Sequence, residues 1–229
     1  MKKGRECNLE SCFLCSYCSG EWRELTGLKK TTLYFKKGRT IFKEGEKVRG
    51  IYFIYSGSVK VHKRWKDKKD LIIRFEKTGG IIGHRGLGSA KLYPISATAL
   101  EDSLICFIEN DFFEKTLNHN PSLTYRFMQL YADELQRAEI RMRNLALMEV
   151  KGRIAETILE LYACFGKDKN SWIAVPVSRQ DIAAHAGTTY ETVFRFLRTI
   201  VKEKIISVSG KKIKINNAVK LKRYMDNAA

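Results

Sequence analysis

Between Thr31 and Glu109 apolar and polar residues alternate in short runs that end on glycine-rich turns. The runs are Thr32–Lys36, Arg39–Lys43, Gly50–Tyr55, Ser58–Lys63, Leu71–Glu76, Ile95–Leu100 and Leu104–Ile108. A period of two sends successive side chains to opposite faces of a strand, so this stretch predicts a small antiparallel barrel or sandwich. Near Asn110 the punctuation stops, and Pro121 opens a helical stretch to about Met148. Its apolar residues Met128, Tyr131, Leu135, Ala138, Met142 and Leu145 recur at spacings of 3, 4, 3, 4 and 3. That stripe can face the chain's own barrel or a second copy of itself. The strict 3.5-residue period of supercoiled helices favours the second copy, and hence a homodimer.

A further helix is expected over Glu149–Phe165, then a short apolar strand at Trp172–Val177. Ser178 with Asp181 three residues on is a capping-box variant opening a helix over Arg179–His185. Gly187 breaks the chain, and Thr188 with Glu191 repeats the signal before a helix to about Glu203. Two capped helices about a glycine turn make a helix-turn-helix. Ile206–Val208 and Lys212–Ile215 flank Ser209-Gly210 as the hairpin of a wing. The fold class is therefore α+β, with boundaries expected at 1–29 for an irregular cysteine-rich arm, 30–120 for the roll, 121–148 for the dimerisation helix and 149–229 for the winged domain.

Charge narrows the choice of partner. The 229 residues carry 42 Lys+Arg against 25 Asp+Glu, a formal net charge of +17. Such a surplus attracts a polyanion, nucleic acid being the leading candidate and a merely soluble basic protein the alternative, and the helix-turn-helix makes that nucleic acid double-stranded DNA. No segment approaches the roughly 18 apolar residues of a spanning helix and no secretory h-region follows the basic start, so a cytoplasmic protein without membrane partners is expected. The four histidines, His62, His84, His119 and His185, are scattered, and no nucleophile-elbow or phosphate-loop motif is present. A cupin-like enzyme, which would need converging ligands inside the roll, is not supported.

On the second helix of the motif, Val193, Leu197, Ile200 and Val201 are expected inside, leaving Tyr190, Glu191, Phe194, Arg195 and Arg198 for a major groove. Arginine can donate twice to guanine O6 and N7, and a carboxylate can accept from cytosine N4. Glu191 and Arg195, four apart, have that spacing. The same pair can equally be a helix cap and its balancing charge. Ser178, Arg179, Gln180, Thr188 and Thr189 complete the expected DNA-facing set.

From about residue 30 onward the chain resembles the Crp/Fnr family of bacterial transcription regulators. The resemblance is carried by the stretch Val177-Ser-Arg-Gln-Asp-Ile-Ala-Ala-His-Ala-Gly-Thr-Thr-Tyr-Glu-Thr-Val-Phe-Arg195, by glycines at Gly38, Gly45, Gly57, Gly79 and Gly83, and by Asn144-Leu-Ala146 before Gly152-Arg-Ile-Ala155. It implies a cyclic-nucleotide-binding-like β-roll (jelly roll), a near-palindromic operator and RNA polymerase as a partner. The family's Glu-x-x-Ser-Arg or Glu-x-x-Gly-Arg signature stands here as Glu191-Thr-Val-Phe194-Arg195, so Phe194 is expected to touch a thymine methyl or to exclude a base that serine would accept. The phosphate-binding pairs of cyclic-nucleotide members become Gly83-His84 and Ile95-Ser96, and the base-touching pair of the long helix becomes Ala138-Glu139. Cyclic AMP is accordingly not expected.

Cys12-x2-Cys15-x2-Cys18, preceded by Cys7, has the compact spacing of an iron–sulfur or a zinc site. Cys106 is similar in position to the distant fourth ligand of the [4Fe–4S] cluster in oxygen-sensing Fnr proteins. The expected ligands are Cys12, Cys15, Cys18 and Cys106, with Cys7 able to replace one, in a sensor of oxygen, nitric oxide or redox state. Zinc on the same thiols, haem on His84, or an organic effector in a pocket of His84, Arg85 and Ser96 are the alternatives. Cys164 reads as core.

Overall fold

The computed structural model describes residues 2–3, 12–65 and 70–226, and the candidate ligand Cys7 lies outside them. Each strand expected from the alternation is present. The roll is built from β1 (Lys2–Lys3), β2 (Thr31–Phe35), β3 (Thr40–Phe42), β4 (Gly50–Ser56), β5 (Ser58–Arg64), β6 (Asp70–Lys77), β7 (Ile81–Ile82), β8 (Ser96–Ala99) and β9 (Ser103–Glu109). They form two sheets of order β1-β2-β9-β4-β7 and β3-β8-β5-β6. Inward residues of the central strands, among them Ile51, Phe53, Val59, Val61, Ile105 and Ile108, are buried and form the core. The two-residue β7 was not expected. It pairs with β4 through Tyr52↔Ile82 and Phe53↔Ile81, too short a run for alternation to be visible.

From Cys12 onward the N-terminal arm is not irregular. It forms α1 (Phe13–Tyr17) and α2 (Gly20–Lys29). Leu14 buries itself among Ile51, Phe53 and Phe113, and the Trp22 ring stacks on His119 at 4.9 Å. The apolar residues that tie this arm down interleave with the cysteines, which is why a motif reading concealed the helix. Next comes α3 (Asn110–His119), also not expected, with Phe113 fully buried against the roll.

Helix α4 (Pro121–Leu147) is followed by α5 (Val150–Phe165), α6 (Arg179–Ala186), α7 (Tyr190–Lys202), the wing strands β10 (Ile206–Ser209) and β11 (Lys212–Ile215), and α8 (Ala218–Asp226). Trp172–Val177 is not a strand: Ile173 makes one isolated bridge to Lys167 and donates its amide to Ile213 O at 2.8 Å. Its alternate side chains Ile173, Val175 and Val177 are nonetheless buried, which accounts for the strand-like pattern. The unanticipated α8 packs on α5, with Leu221 fully buried and Tyr224 edge-on to Phe196 at 5.0 Å. The chain divides into two compact units, Met1–Arg64 with Arg74–Leu135 and Trp65–Ile73 with Gln136–Ala229, the second boundary falling inside α4.

Candidate nucleic-acid interface and sensor site

Helices α6 and α7 are held in register by their ends. Ser178 Oγ accepts from the Asp181 amide at 3.0 Å and donates to Asp181 Oδ2. Gly187 closes α6 in the left-handed conformation, φ 62° and ψ 46°, which a side chain resists. A Cβ there would also lie 2.9 Å from the Leu145 Cδ2. The cap of α7 is Thr189, one residue later than the expected Thr188: its hydroxyl accepts from the Thr192 amide at 3.3 Å, while the Thr188 amide donates to Ala183 O. Glu191 is therefore not the partner of a capping box, although it stays in the first turn, where the helix dipole favours it.

Val193, Phe196, Leu197 and Ile200 form the buried face of α7. Val201, expected inside, is 38% exposed, and Phe196 fills the inner stripe instead. The stripe follows i, i+3, i+4, i+7, so position i+8 falls at its margin. Tyr190, Glu191, Phe194, Arg195 and Arg198 are exposed together on the other face. Neither the Glu191 nor the Arg195 side chain has a hydrogen-bond or ion-pair partner among the described residues, which leaves both available to bases. Tyr190 lies nearly parallel to Phe194, 12° between planes and 6.3 Å between centroids. The guanidinium carbons of Arg179 and Arg198 sit 5.5 and 5.9 Å from the Phe194 centroid. Gln180 is exposed beside them, and Lys211 and Lys212 project from the wing.

Arginines that no motif singled out fix this motif to the end of α4. Arg153 donates to Ala186 O at 2.9 Å and to Met148 O at 2.7 Å, stitching three helix ends with one side chain. Arg141 donates to His185 O and approaches His185 Nε2 at 3.0 Å. His185 is buried, and its burial, then the Arg141 charge, hold its pKa well below 6.5. Charged side chains inside a helix pattern read as solvated faces, so only the resemblance around Gly152-Arg153 hinted at the first of these.

In the first unit Cys12, Cys18 and Cys106 are buried, Cys15 is half-buried, and none is in a disulfide. Cys106 stands on β9 opposite Thr32 of β2 and Phe53 of β4, a fixed central position. Cys12, Cys15 and Cys106 line one cavity of about 650 Å³, together with Arg23, Lys30, Phe53 and Ile108. Cys18 is not among its lining residues. Its thiol donates to Asn120 Oδ1 at 3.7 Å, an oxygen that also accepts from the Ser19 amide at 2.9 Å. Lys30 is 6% exposed and has no ion-pair partner among the described residues. Two basic residues, Arg23 and Lys30, and one acidic residue, Glu24, thus share the cavity wall with the thiols, a net positive lining that suits thiolates. Among the described residues, however, no three His, Cys, Asp or Glu gather closely enough to hold a single metal ion. Tetrahedral zinc with bonds near 2.3 Å would need its sulfurs about 3.8 Å apart, whereas a four-iron cluster gives each cysteine its own iron and suits wider spacing. Cys164 on α5 is half-buried.

The pocket position near His84 is filled from within. His84 follows Gly83, φ 85°, on a short 3-10 turn, and is fully buried. Glu134 of α4, 5% exposed, accepts from Arg85 Nε at 2.9 Å, lies 3.0 Å from His84 Nε2 and pairs with Arg74. The Tyr131 hydroxyl donates to His84 O at 2.6 Å. Burial first, then Arg74 and Arg85, hold the His84 pKa well below 6.5. Ser96 points elsewhere, accepting from the Glu44 amide at 2.9 Å. Glu134 carried no sequence signal: it is one carboxylate among many on a polar helix.

Along α4, Met128, Tyr131 and Leu135 in the first unit and Ala138 and Met142 in the second are exposed, while Leu145 is half-buried. No helix among the described residues is long and apolar enough to cross a membrane.

A cyclic-nucleotide-binding-like roll, one long helix and a winged helix-turn-helix together define a transcription regulator. Residues 32–120 match the cyclic nucleotide-binding domain and residues 152–224 the Crp-like helix-turn-helix domain. The chain is 30% identical over 198 residues to the anaerobic regulatory protein of Bacillus subtilis, covering 84% of this chain and 83% of that one. It is 29% identical to the fumarate and nitrate reduction regulatory protein of Escherichia coli, covering 80% of this chain and 73% of that one. The structure of FixK2 from Bradyrhizobium japonicum superposes with a TM-score of 0.76 at 27% identity, over 87% of this chain and 98% of that one. The chain belongs to the Crp/Fnr family of transcription regulators.

Proposed function

We propose that this regulator is a cytoplasmic homodimer that senses oxygen, nitric oxide or redox state through a cysteine-ligated [4Fe–4S] cluster and binds a near-palindromic operator, where it would meet RNA polymerase. The observation that carries this reading is the cavity shared by Cys12, Cys15 and Cys106, with Arg23 and Lys30 against one Glu24 in its wall. The ligands in this reading are Cys12, Cys15, Cys18 and Cys106, with Cys7 able to replace one; the Cys18 thiol would give up its bond to Asn120 on binding. When bound, such a cluster supplies a redox-active and oxygen-labile centre. The chain itself contributes a rigid strand under Cys106, a short helix under Cys15, and Lys30 to offset the negative charge. The exposed stripe of α4 supports pairing of two subunits, which would set two copies of α7 about 34 Å apart in successive major grooves.

Haem or an organic anion at His84 finds less support, since the Glu134 carboxylate already holds the donors of His84 and Arg85. The deciding experiment measures iron, acid-labile sulfide and zinc per chain on protein purified without oxygen, before and after air. About four iron and four sulfide, lost in air, are expected. They should be missing in Cys106→Ser and in a variant with all the N-terminal cysteines replaced by serine. One zinc without iron, or no metal, would overturn the sensor assignment and leave the DNA-binding assignment standing.

A further inference from the structure

Strand β6 stands at one end of the sheet β3-β8-β5-β6, and an edge strand has carbonyls open to partners outside its sheet. Ile72 O takes such a partner from the long helix: Arg141 Nη2 donates to it at 2.9 Å. The same nitrogen donates to His185 O, and Nη1 lies 3.0 Å from His185 Nε2. His185 sits in the last turn of α6, where helix geometry leaves carbonyls without intrahelical donors. One guanidinium therefore serves a carbonyl of the roll's edge strand and a carbonyl of the DNA-reading motif at once. Its buried Nε has no acceptor among the described residues. A buried donor so left costs stability, so the placement of Arg141 is not the one that stability alone would choose.

Two residues further along β6 the long helix takes a second hold. Arg74 pairs with Glu134, which also accepts from Arg85 Nε at 2.9 Å. Glu134 and Arg141 are two turns apart on one face of α4. The helix grips β6 with a carboxylate on the Arg74 side chain and with a guanidinium on the Ile72 main chain. Freed at Arg74, the strand carries Ile72 O with it, and the bridge to His185 O must follow or break. Freedom gained at α6 passes to α7 through the short turn at Gly187, and DNA binding must then remove it, which weakens the specific complex.

We propose that Arg141 is a positioning residue that couples the roll to the helix-turn-helix, its guanidinium bridging Ile72 O and His185 O so that a shift of β6 is felt as a change in operator affinity. This inference rests on the reading of the chain as a DNA-binding regulator and on no particular metal or effector. The test selects an operator from random duplexes with the full-length wild-type chain. Its affinity is then measured for wild type, Glu134→Gln, Arg141→Ala, the double variant and Arg141→Lys, at chain concentrations where all sediment alike. Arg141→Ala should bind roughly tenfold more weakly than wild type and Glu134→Gln roughly fivefold, within the usual range of coupling between sites. The double variant should bind no more weakly than Arg141→Ala, because with the bridge gone the grip of Glu134 no longer reaches α6. Arg141→Lys, which keeps charged donors, should recover part of the loss. Losses that multiply to about fiftyfold in the double variant would make the two residues independent and overturn the coupling.

Amide hydrogen exchange without DNA gives a second reading that leaves Arg141 in place, and so decides the matter even if Arg141→Ala does not fold. Glu134→Gln should speed exchange in α6, while α8, which neither side chain bonds, stays as protected as in wild type. Unchanged exchange in α6, or equal acceleration in α8, would overturn the role of Arg141 while leaving sequence-specific binding intact. Failure of the wild-type chain to enrich any operator would overturn the DNA-reading assignment itself, and this inference with it.

Discussion

The Glu134 carboxylate receives the Nε proton of Arg85 at 2.9 Å inside the roll, so a helix residue of the chain occupies the donors that a small anion would otherwise claim. With Arg74 and His84 on the same carboxylate, Glu134 acts as a tethered ligand that docks the first half of α4. Replacing Glu134 with alanine should destabilise the protein by about 3 kcal/mol, because it strands largely buried arginine charge. Glu134→Gln, which keeps an acceptor, should lose less. Denaturant unfolding of the three proteins checks the order, and equal stability of wild type and Glu134→Ala would remove the clasp from the account.

The two buried histidines set an acid limit. His84 and His185 both have pKa values well below 6.5, chiefly through burial. Below pH 6.5 the unfolded chain takes up protons there that the folded chain excludes. Stability contributed by these groups is therefore full above pH 6.5 and is lost as pH falls toward their folded values, by at most about 1.4 kcal/mol per pH unit for each histidine. Unfolding free energies between about pH 8 and pH 5 should show a shallower acid slope in His84→Gln/His185→Gln than in wild type.

Leu135 lies near the middle of the exposed α4 stripe and is 62% exposed in the single chain. A two-fold interface uses each residue twice. Leu135→Glu should weaken self-association at least a hundredfold, since burying one leucine is worth about 2 kcal/mol on each side. Sedimentation equilibrium reads the result. An undiminished dimer would place the partner surface elsewhere.

Arg195 shares the exposed face of α7 with Glu191 and has no side-chain partner among the described residues. Arg195→Ala should cost about 1–3 kcal/mol on the selected operator and little on random duplex. Binding isotherms on both DNAs at one salt concentration decide it. Equal losses on the two would reduce Arg195 to a phosphate contact.

What the sequence made legible were the features with a period or a cap. Alternation located the seven longer strands of the roll, the 3.5 repeat located α4, and Ser178 with Gly187 located the turn of the DNA-reading motif. The misses have physical causes. In α1 the apolar anchor Leu14 is interleaved with cysteines read as ligands, so the pattern of a helix was hidden by the pattern of a metal site. The buried alternation of Ile173, Val175 and Val177 imitates a strand although the segment finds no ladder partner. Thr188 and Thr189 are equally good caps on paper, and only the backbone course after Gly187 chooses the second. Glu134 and Arg141 are invisible because their partners, Arg74, His84 and Arg85 for the first and His185 and Ile72 O for the second, come from distant parts of the chain, which no local spacing records.

A dimer formed through the bare stripe on α4 would make DNA occupancy a matter of abundance. A protein whose two reading heads meet only after two chains collide populates its competent form as the square of chain concentration when dilute. A modest change in synthesis or turnover would then be amplified at the operator. A cell can sharpen or blunt its response to the same stimulus by how many copies it keeps.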